Sequence, residues 1–262
     1  MSKSRAPTTR TPARTGTGCA TCGWSTPPDG TLARRRHRGD DGLCPASGAP
    51  SRGGELTDTW VALQAGADPA QRRRALRGAY EAFAAAGRVE RPVRAVVAES
   101  WRRSARARVS REGTADVELS DDGLAAYRDG HPLAKVMPLF RELMGAYAMD
   151  GEHLLAVCDA QGRLLWVEGH ATSRRQAGLM NFVPGARWAE AATGTNAPGT
   201  AIAVDRPVQV FAAEHFQRPV HPWTCAAAPV HDPGTGRLLG AVDITGGDRL
   251  AHPHSLAFVG AV

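Results

Sequence analysis

Apolar residues recur at helical spacing in the region from position 56 to position 150. The first predicted helix begins at the N-cap Asp68, with Pro69 in its first turn, and ends at Gly87. Its apolar face contains Leu76, Ala79, Tyr80 and Phe83. A second helix is predicted after Pro92, with apolar positions four residues apart: Val93, Val97, Trp101 and Ala105.

Two more helical segments complete this region. Ser120 can cap a short third helix, because the aspartates that follow it suit the positive end of a helix. A longer apolar stripe then contains Leu133, Val136, Met137, Phe140, Leu143, Met144 and Tyr147. Pro138 interrupts the stripe and removes one backbone donor, so we expect a kink or a new helix start there.

The apolar pattern changes from helical to alternating after Gly151. Two antiparallel hairpins are predicted, one over 154–167 with its turn at 159–162 and one over 225–245 with its turn at 232–236. A further strand is predicted over 207–211, and a final helix over 252–262. Hairpins with helices between them indicate an α+β fold with an antiparallel sheet and flanking helices.

The first 55 residues differ in composition from the remainder. They are rich in Arg, Thr, Pro and Gly and contain few large aliphatic residues. Such a segment buries too little apolar surface to offset the entropy of ordering, so it is predicted to be disordered. The predicted organisation is a disordered basic tail at 1–55, a helical N-terminal region at 56–150 and a sheet domain at 151–262.

Basic residues are concentrated in the first half of the chain. The formal charge is +5 over 1–55, +6 over 56–110 and −5 over 111–262. Such asymmetry is found in proteins that contact nucleic acid. Here 30 of the 32 basic residues are Arg, as GC-rich coding would produce, so the charge is not taken as evidence for DNA binding. The sequence has neither about 18 consecutive apolar residues nor a signal-peptide core, which predicts a cytoplasmic protein without a membrane span.

The most informative segment is 188–200, WAEAATGTNAPGT. Gly194 permits an unusual backbone turn, Asn196 can cap a helix, and Pro198 is tolerated in the first turn of that helix. Free amides at such a helix start favour a carboxylate or a phosphate. A plain connection between a loop and a helix is the alternative interpretation.

Four further motifs accompany this segment: ESWRRS at 99–104, EHF at 214–216, WTC at 223–225 with Pro229, and GAVDITG at 240–246. Together the five motifs resemble the GAF sensor domains of the acetoin-catabolism type of bacterial transcriptional activators, over about residues 93–262. The resemblance implies a sheet of five or six strands with helices on one face and a ligand cavity under loops on the other. The sheet domain at 151–262 would be the GAF sensor domain.

This resemblance implies that the chain senses a small-molecule effector and has no catalytic residues. The candidate ligand-binding residues are Thr195, Asn196, His215, Phe216, Trp223 and Cys225. Phe216 and Trp223 would supply apolar contact, and Asn196 and His215 would supply hydrogen bonds. Core packing is the alternative explanation for the aromatic residues, and a satisfied buried polar group for His215.

Regulators of this type continue from the sensor into a sigma-54-dependent ATPase domain or a Fis-like helix-turn-helix. Neither pattern follows the sensor in this sequence, so we expect DNA to be contacted only through an output domain that the chain does not contain. A homodimer is also expected. One GAF scaffold accepts chemically different ligands, so the sequence leaves the effector and any cofactor unidentified.

Three other interpretations of the sequence compete with this one. Some stand-alone GAF domains are free methionine sulfoxide reductases, but Cys158 and Cys225 lie in predicted strands, where thiols are usually buried and inert. A ligand-free dimerisation module could use the apolar stripe at 133–147. A zinc site would need Cys19, Cys22, His37 and Cys44, whose second pair lacks compact spacing, so no metal is expected.

Overall fold

The computed structural model describes residues 60–89, 91–148 and 153–262. The predicted disordered tail and the four residues of the zinc alternative lie outside these residues. The helices are α1 (Pro69–Ala86), α2 (Ala95–Arg106), α3 (Asp121–Gly130), α4 (Met137–Ala148), α5 (Ala171–Gly178), α6 (Glu190–Thr193), α7 (Ala197–Val204) and α8 (Pro253–Ala261). The strands are β1 (Leu154–Asp159), β2 (Leu164–Gly169), β3 (Val208–Phe211), β4 (Thr224–His231) and β5 (Leu238–Gly246). Short 3-10 turns occupy Pro132–Lys135, Ala212–Glu214, Arg218–Val220 and Asp248–Leu250.

The five strands form one antiparallel sheet in the order β2-β1-β5-β4-β3. Both predicted hairpins are present, as β1–β2 and β4–β5. The strand predicted over 207–211 is present as β3. In the first hairpin, the Asp159 carboxylate accepts hydrogen bonds from the amides of Gln161 and Arg163, each at 2.9 Å. Gly162 has a φ of 78° in this turn, which glycine adopts readily. The predicted α+β class is confirmed.

Successive side chains of a strand point to opposite faces of the sheet, so each face presents its own set of residues. Different helices pack against the two faces. We call the face under α4 and α8 the outer face, where Leu155, Val157, Val242 and Ile244 pack against residues such as Phe140 and Val259. The opposite face, here the inner face, contains Leu154, Ala156, Cys158, Cys225, Ala227, Ala241, Asp243 and Thr245. Helix α7 and the chain between α5 and α6 cover the inner face.

Helices α1 and α2 share a hydrophobic core with β3. The Tyr80 hydroxyl donates to the Phe216 carbonyl at 2.7 Å, and the Trp101 indole donates to the Glu214 carbonyl at 2.7 Å. Phe83 packs against the rings of both Trp101 and Phe216. The sequence boundary at 150 between a helical region and a sheet domain stays a prediction.

The structure confirms most of the predicted helix signals and corrects three details. Asp68 caps α1, Gly87 ends it in a left-handed conformation, and α4 starts afresh at Met137, beside Pro138. Ala105 is exposed, contrary to prediction, because Ser104 and Ser100 occupy the buried side of α2. Further corrections concern Ser120, whose side chain makes no cap hydrogen bond, and Leu143, which is 45% exposed.

Candidate functional site

The motif at 188–200 builds a closed helix cap. Asn196 Oδ1 accepts a hydrogen bond from the Gly199 amide at 2.8 Å, while its Nδ2 donates to Thr193 Oγ1 at 2.9 Å and to the Gly194 carbonyl at 2.8 Å. Gly194 has a φ of 73°, and a Cβ there would lie 2.5 Å from Phe216 Cβ. The cap therefore also provides the space in which Phe216 packs.

The same motif is joined to α2 by a buried polar network. Ser100 Oγ lies 2.6 Å from both Thr195 Oγ1 and a Glu190 carboxylate oxygen, and Thr200 Oγ1 donates to that oxygen at 3.1 Å. Arg103 pairs with the same carboxylate through its guanidinium, with Nη2 2.9 Å from Oε2. The Glu190 carboxylate, which sequence reasoning did not select, connects α2 with α6 and α7.

The EHF motif follows β3 and is also buried. The Glu214 carboxylate accepts hydrogen bonds from Arg94 Nε at 2.9 Å, from Arg72 at 3.2 Å and from the Phe211 amide at 3.0 Å. Burial lowers the pKa of His215 to about 3, so its ring is neutral at physiological pH. His215 Nδ1 bonds the Ala212 carbonyl at 2.9 Å, and its Nε2 has no hydrogen-bond partner among the described residues.

A cleft of about 720 Å³ opens between α5, the turn before β4 and the end of β5. Its walls contain Thr172, Ser173, Gln176, Leu179, Met180, Pro219, Pro222, Trp223, Gly246, Gly247, Asp248 and Arg249. Trp223 is half-buried and is the one predicted ligand-binding residue in these walls. The other five predicted residues are buried under the helices around α7 and β3, and their role in ligand binding stays a prediction.

The inner face carries a chain of polar side chains that begins at Cys225. Thr245 Oγ1 lies 3.0 Å from Cys225 Sγ and 2.7 Å from Asp243 Oδ2. Burial raises the pKa of the Cys225 thiol and the pKa of the Cys158 thiol, which keeps both in the unreactive thiol form. Burial also raises the pKa of Asp243 to about 8, against the opposing effect of the Thr245 hydrogen bond.

Asp243 lies within the GAVDITG motif but is not among the predicted site residues. The signal that could have found it is an acidic residue in an otherwise apolar strand. Among the described residues, no group of three or more His, Cys, Asp or Glu side chains is placed to hold a metal ion. Within the same residues, no helix has the length and apolar character needed to cross a membrane.

A five-stranded antiparallel sheet with helices packed on both faces, and a cleft between α5, the turn before β4 and the end of β5, has the architecture of a GAF-like sensor domain. The protein family described as "MimR, N-terminal domain" matches residues 69–261, and the chain belongs to this family. The match extends from α1 to α8 and includes all five motifs. The resemblance to this type of sensor, predicted from those motifs, is confirmed.

Several relatives of the chain are regulators of transcription. The chain is 33% identical to the acetoin dehydrogenase operon transcriptional activator AcoR of Bacillus subtilis, over 66% of this chain and 29% of AcoR. It is 46% identical to an uncharacterized 47.3 kDa protein in the thcA 5' region of Rhodococcus erythropolis, over 77% of this chain and 48% of that protein. The chain thus spans about half or less of the length of these relatives.

A shorter match and a solved structure agree with this assignment. The propane 2-monooxygenase operon transcriptional activator MimR of Mycolicibacterium smegmatis is 38% identical over 26% of this chain and 12% of MimR. The crystal structure of the E. coli DhaR(N)-DhaL complex matches with a TM-score of 0.55 and 22% identity, over 63% of this chain and 58% of that chain, which supports the fold. These relatives support a non-enzymatic sensor domain rather than a sulfoxide reductase.

Proposed function

We propose that this chain senses a small organic molecule in the cleft beside Trp223 and that the binding event regulates transcription. The observation that carries the proposal is the cleft itself, whose volume of about 720 Å³ is typical of small-molecule sites. Trp223 contributes an aromatic ring to its walls. Membership of a family whose relatives include transcriptional activators supports the regulatory part of the proposal.

The walls of the cleft suit a ligand with an apolar body and a polar end. Leu179, Met180 and Trp223 provide apolar contact, together with two prolines of the turn before β4. Thr172 and Gln176 contribute a hydroxyl and an amide from α5. Such a site takes its affinity from apolar area and its selectivity from a few directed polar groups.

Arg73 gives the cleft a direct connection to α1. Its Nε donates to Asp248 Oδ1 at 2.9 Å, and its other nitrogens donate to the carbonyls of His221 at 2.9 Å and Pro222 at 3.1 Å. Both walls that flank Trp223 are therefore bonded to one side chain of α1. The wall at Asp248 also leads into α8. A ligand that shifts either wall would change the position of α1 or α8, which is a route for transmitting the signal.

Trp223→Ala is expected to abolish the response to the effector while the protein stays folded. An effector present at 100 times its dissociation constant should stabilise the wild-type protein by about 2.7 kcal/mol. A thermal-shift screen of the full chain against a broad set of metabolites finds the effector, and calorimetry then measures its affinity for the variant. Trp166→Ala is the matched control, because Trp166 is also half-buried but packs against the outer face.

Two results would count against the proposed site. A screen in which no metabolite raises the melting temperature would favour the ligand-free dimerisation module. Equal loss of binding in the Trp166 and Trp223 variants would place the effect in the general stability of the fold rather than in the cleft.

Arg73→Ala is expected to loosen the cleft walls without unfolding the protein. The salt bridge is partly exposed, so its loss should cost no more than about 1 kcal/mol of stability, whereas the loss of two bonds to backbone carbonyls frees the turn before β4. Hydrogen exchange monitored by mass spectrometry should show faster exchange at 219–223 and 246–250. Arg74→Ala, a neighbouring exposed position, is the control and should leave both segments unchanged.

The same proposal includes a homodimer and an indirect connection to DNA. Leu139 and Leu143 are 47% and 45% exposed, one turn apart on α4, and favour a homodimer through this helix. Because the chain spans about half or less of its relatives, we assign DNA contact to a part of the regulator outside this sequence. A regulator of transcription would act in the bacterial cytoplasm.

A further inference from the structure

Another cavity, of about 500 Å³, lies between α2, the turn of the first hairpin and α7, and shares no wall residue with the cleft beside Trp223. Its wall includes part of the segment 188–200. Five alanines and Ile202 form most of the wall, and exposed members such as Ala203 show that the cavity opens to solvent. The polar side chains of the wall are those of Arg103, Gln161, Arg187 and Glu190. The cavity is therefore an accessible concave surface with few polar groups, as in small-molecule sites.

The side-chain acceptors in this wall are already in use. The buried Glu190 carboxylate accepts hydrogen bonds from two hydroxyl groups, at 2.6 and 3.1 Å, and from two nitrogens of Arg103. Gln161 Oε1 accepts a hydrogen bond from Arg163 Nη2 at 3.2 Å. A ligand that only donates hydrogen bonds would therefore find little to bind among these side chains.

Donors remain unused in the same wall. Arg103 bonds Glu190 through Nε and Nη2, which leaves its Nη1 without a hydrogen-bond partner among the described residues. Arg187 donates to Glu118 through Nη1 at 3.1 Å, and its Nε has no partner in the described part of the chain. The side chains of Arg103 and Arg187 are 33% and 42% exposed, so a solute in the cavity can contact both. The wall thus offers guanidinium N–H groups to an acceptor.

The charge of the wall suits a solute with one negative charge. Two arginines and one glutamate leave a formal charge of +1. Glu118 offsets only part of the charge of Arg187, because Arg163 shares the same carboxylate at 3.9 Å. Guanidinium groups match the two oxygens of a carboxylate in geometry as well as in charge. A dianion such as phosphate would exceed the positive charge available.

We propose that this cavity binds a small organic monocarboxylate, whose carboxylate pairs with Arg103 and Arg187 and whose apolar body lies against Ile202 and the alanines. The site is a second input, separate from the cleft beside Trp223, and does not depend on the function proposed for that cleft. Arg103 also holds Glu190, which connects α2 with α6 and α7. A bound carboxylate therefore adds a contact to the network that joins these helices.

Benzoate, benzamide and inorganic phosphate test the site on the full chain. Benzoate and benzamide have nearly the same shape and differ in charge. Ligand-observed NMR should show benzoate binding at least about tenfold more tightly than benzamide, because hydrogen bonds between charged groups are the stronger ones. Phosphate at the concentration of benzoate should not displace it.

Two variants locate the bound benzoate. Arg187→Gln removes one guanidinium group and should weaken benzoate binding by about tenfold while benzamide binding stays unchanged. Ala203→Phe fills part of the cavity from an exposed position and should weaken the binding of both probes. Arg141→Gln is the matched control for the charge, because Arg141 also pairs with a partly exposed glutamate but lies outside the cavity. Thermal unfolding should show that all three variants stay folded, since each change is at a partly exposed side chain.

Equal affinities of the wild-type protein for benzoate and benzamide, or no binding of benzoate, would overturn the proposal. Displacement by phosphate would show a general anion contact in place of a carboxylate site. Equal losses in Arg187→Gln and Arg141→Gln would mean that the overall charge of the protein attracts benzoate. Trp223→Ala should leave benzoate affinity unchanged, and a loss there would place benzoate in the cleft and reject the second site.

Discussion

Glu214→Ala is expected to lower the free energy of unfolding by about 3 to 5 kcal/mol, the usual cost of breaking a buried ion pair from one side. The Glu214 side chain is fully buried and the side chain of Arg94 is 8% exposed. Without Glu214, the Arg94 guanidinium stays in the protein interior without its counter-charge, and the Phe211 amide loses its acceptor. Urea unfolding of the wild-type protein and the variant measures the difference.

Glu168→Ala is the matched control for this experiment. Glu168 also pairs with an arginine, Arg141, but the two side chains are 34% and 49% exposed. An exposed pair contributes about 0 to 1 kcal/mol. If the two variants lose similar amounts of stability, the buried pair is no stronger than a surface contact.

Asp243→Asn is expected to change the pH dependence of stability. The pKa of Asp243 is about 8 in the folded protein and about 3.9 in an unfolded chain. The carboxyl group therefore contributes stability that is fully present below about pH 4 and is lost as the pH rises to about 8, at up to about 1.4 kcal/mol per pH unit. The asparagine variant has no such loss, so it should gain several kcal/mol over the wild-type protein between these limits.

Urea unfolding of both proteins at pH 5, 6, 7 and 8 gives this result as a difference that widens with pH. Asp122→Asn is the control, because Asp122 is exposed and its variant should stay at a constant offset from the wild-type protein. A constant offset for Asp243→Asn as well would mean that its carboxyl group has an ordinary pKa in the folded protein.

Local signals made most of the fold predictable from the sequence. Caps such as Asp68 and Asn196 bond amides two or three residues away, so their effect is encoded within a short segment. Alternating apolar residues on either side of a turn predicted both hairpins for the same reason. The buried side of α2 was predicted less well, because periodicity counts only apolar residues and Ser100 is buried through a bond to Glu190, 90 positions away.

The candidate site was less predictable because its parts come from distant positions. The cleft combines residues near positions 175, 220 and 248. Arg73 bonds its walls at His221 and Asp248, which lie 148 and 175 positions further along the chain. Trp223 is predictable as a ligand-binding residue because it belongs to the WTC motif at 223–225. The Asp243 carboxyl was overlooked, since its isolation depends on Ala156 and Ala227 from two other strands.

The aromatic core shared by α1, α2 and β3 has a consequence for the exchange of sensor modules between regulators. Tyr80 and Trp101 hold the loop after β3 through its backbone carbonyls, and Phe83 covers Phe216. A chimaera joined at position 151 would combine the strands of one parent with the α1 and α2 of another, and would mismatch these contacts. A junction before Pro69 would preserve these contacts, because α1 and α2 would then come from the same parent as the sheet.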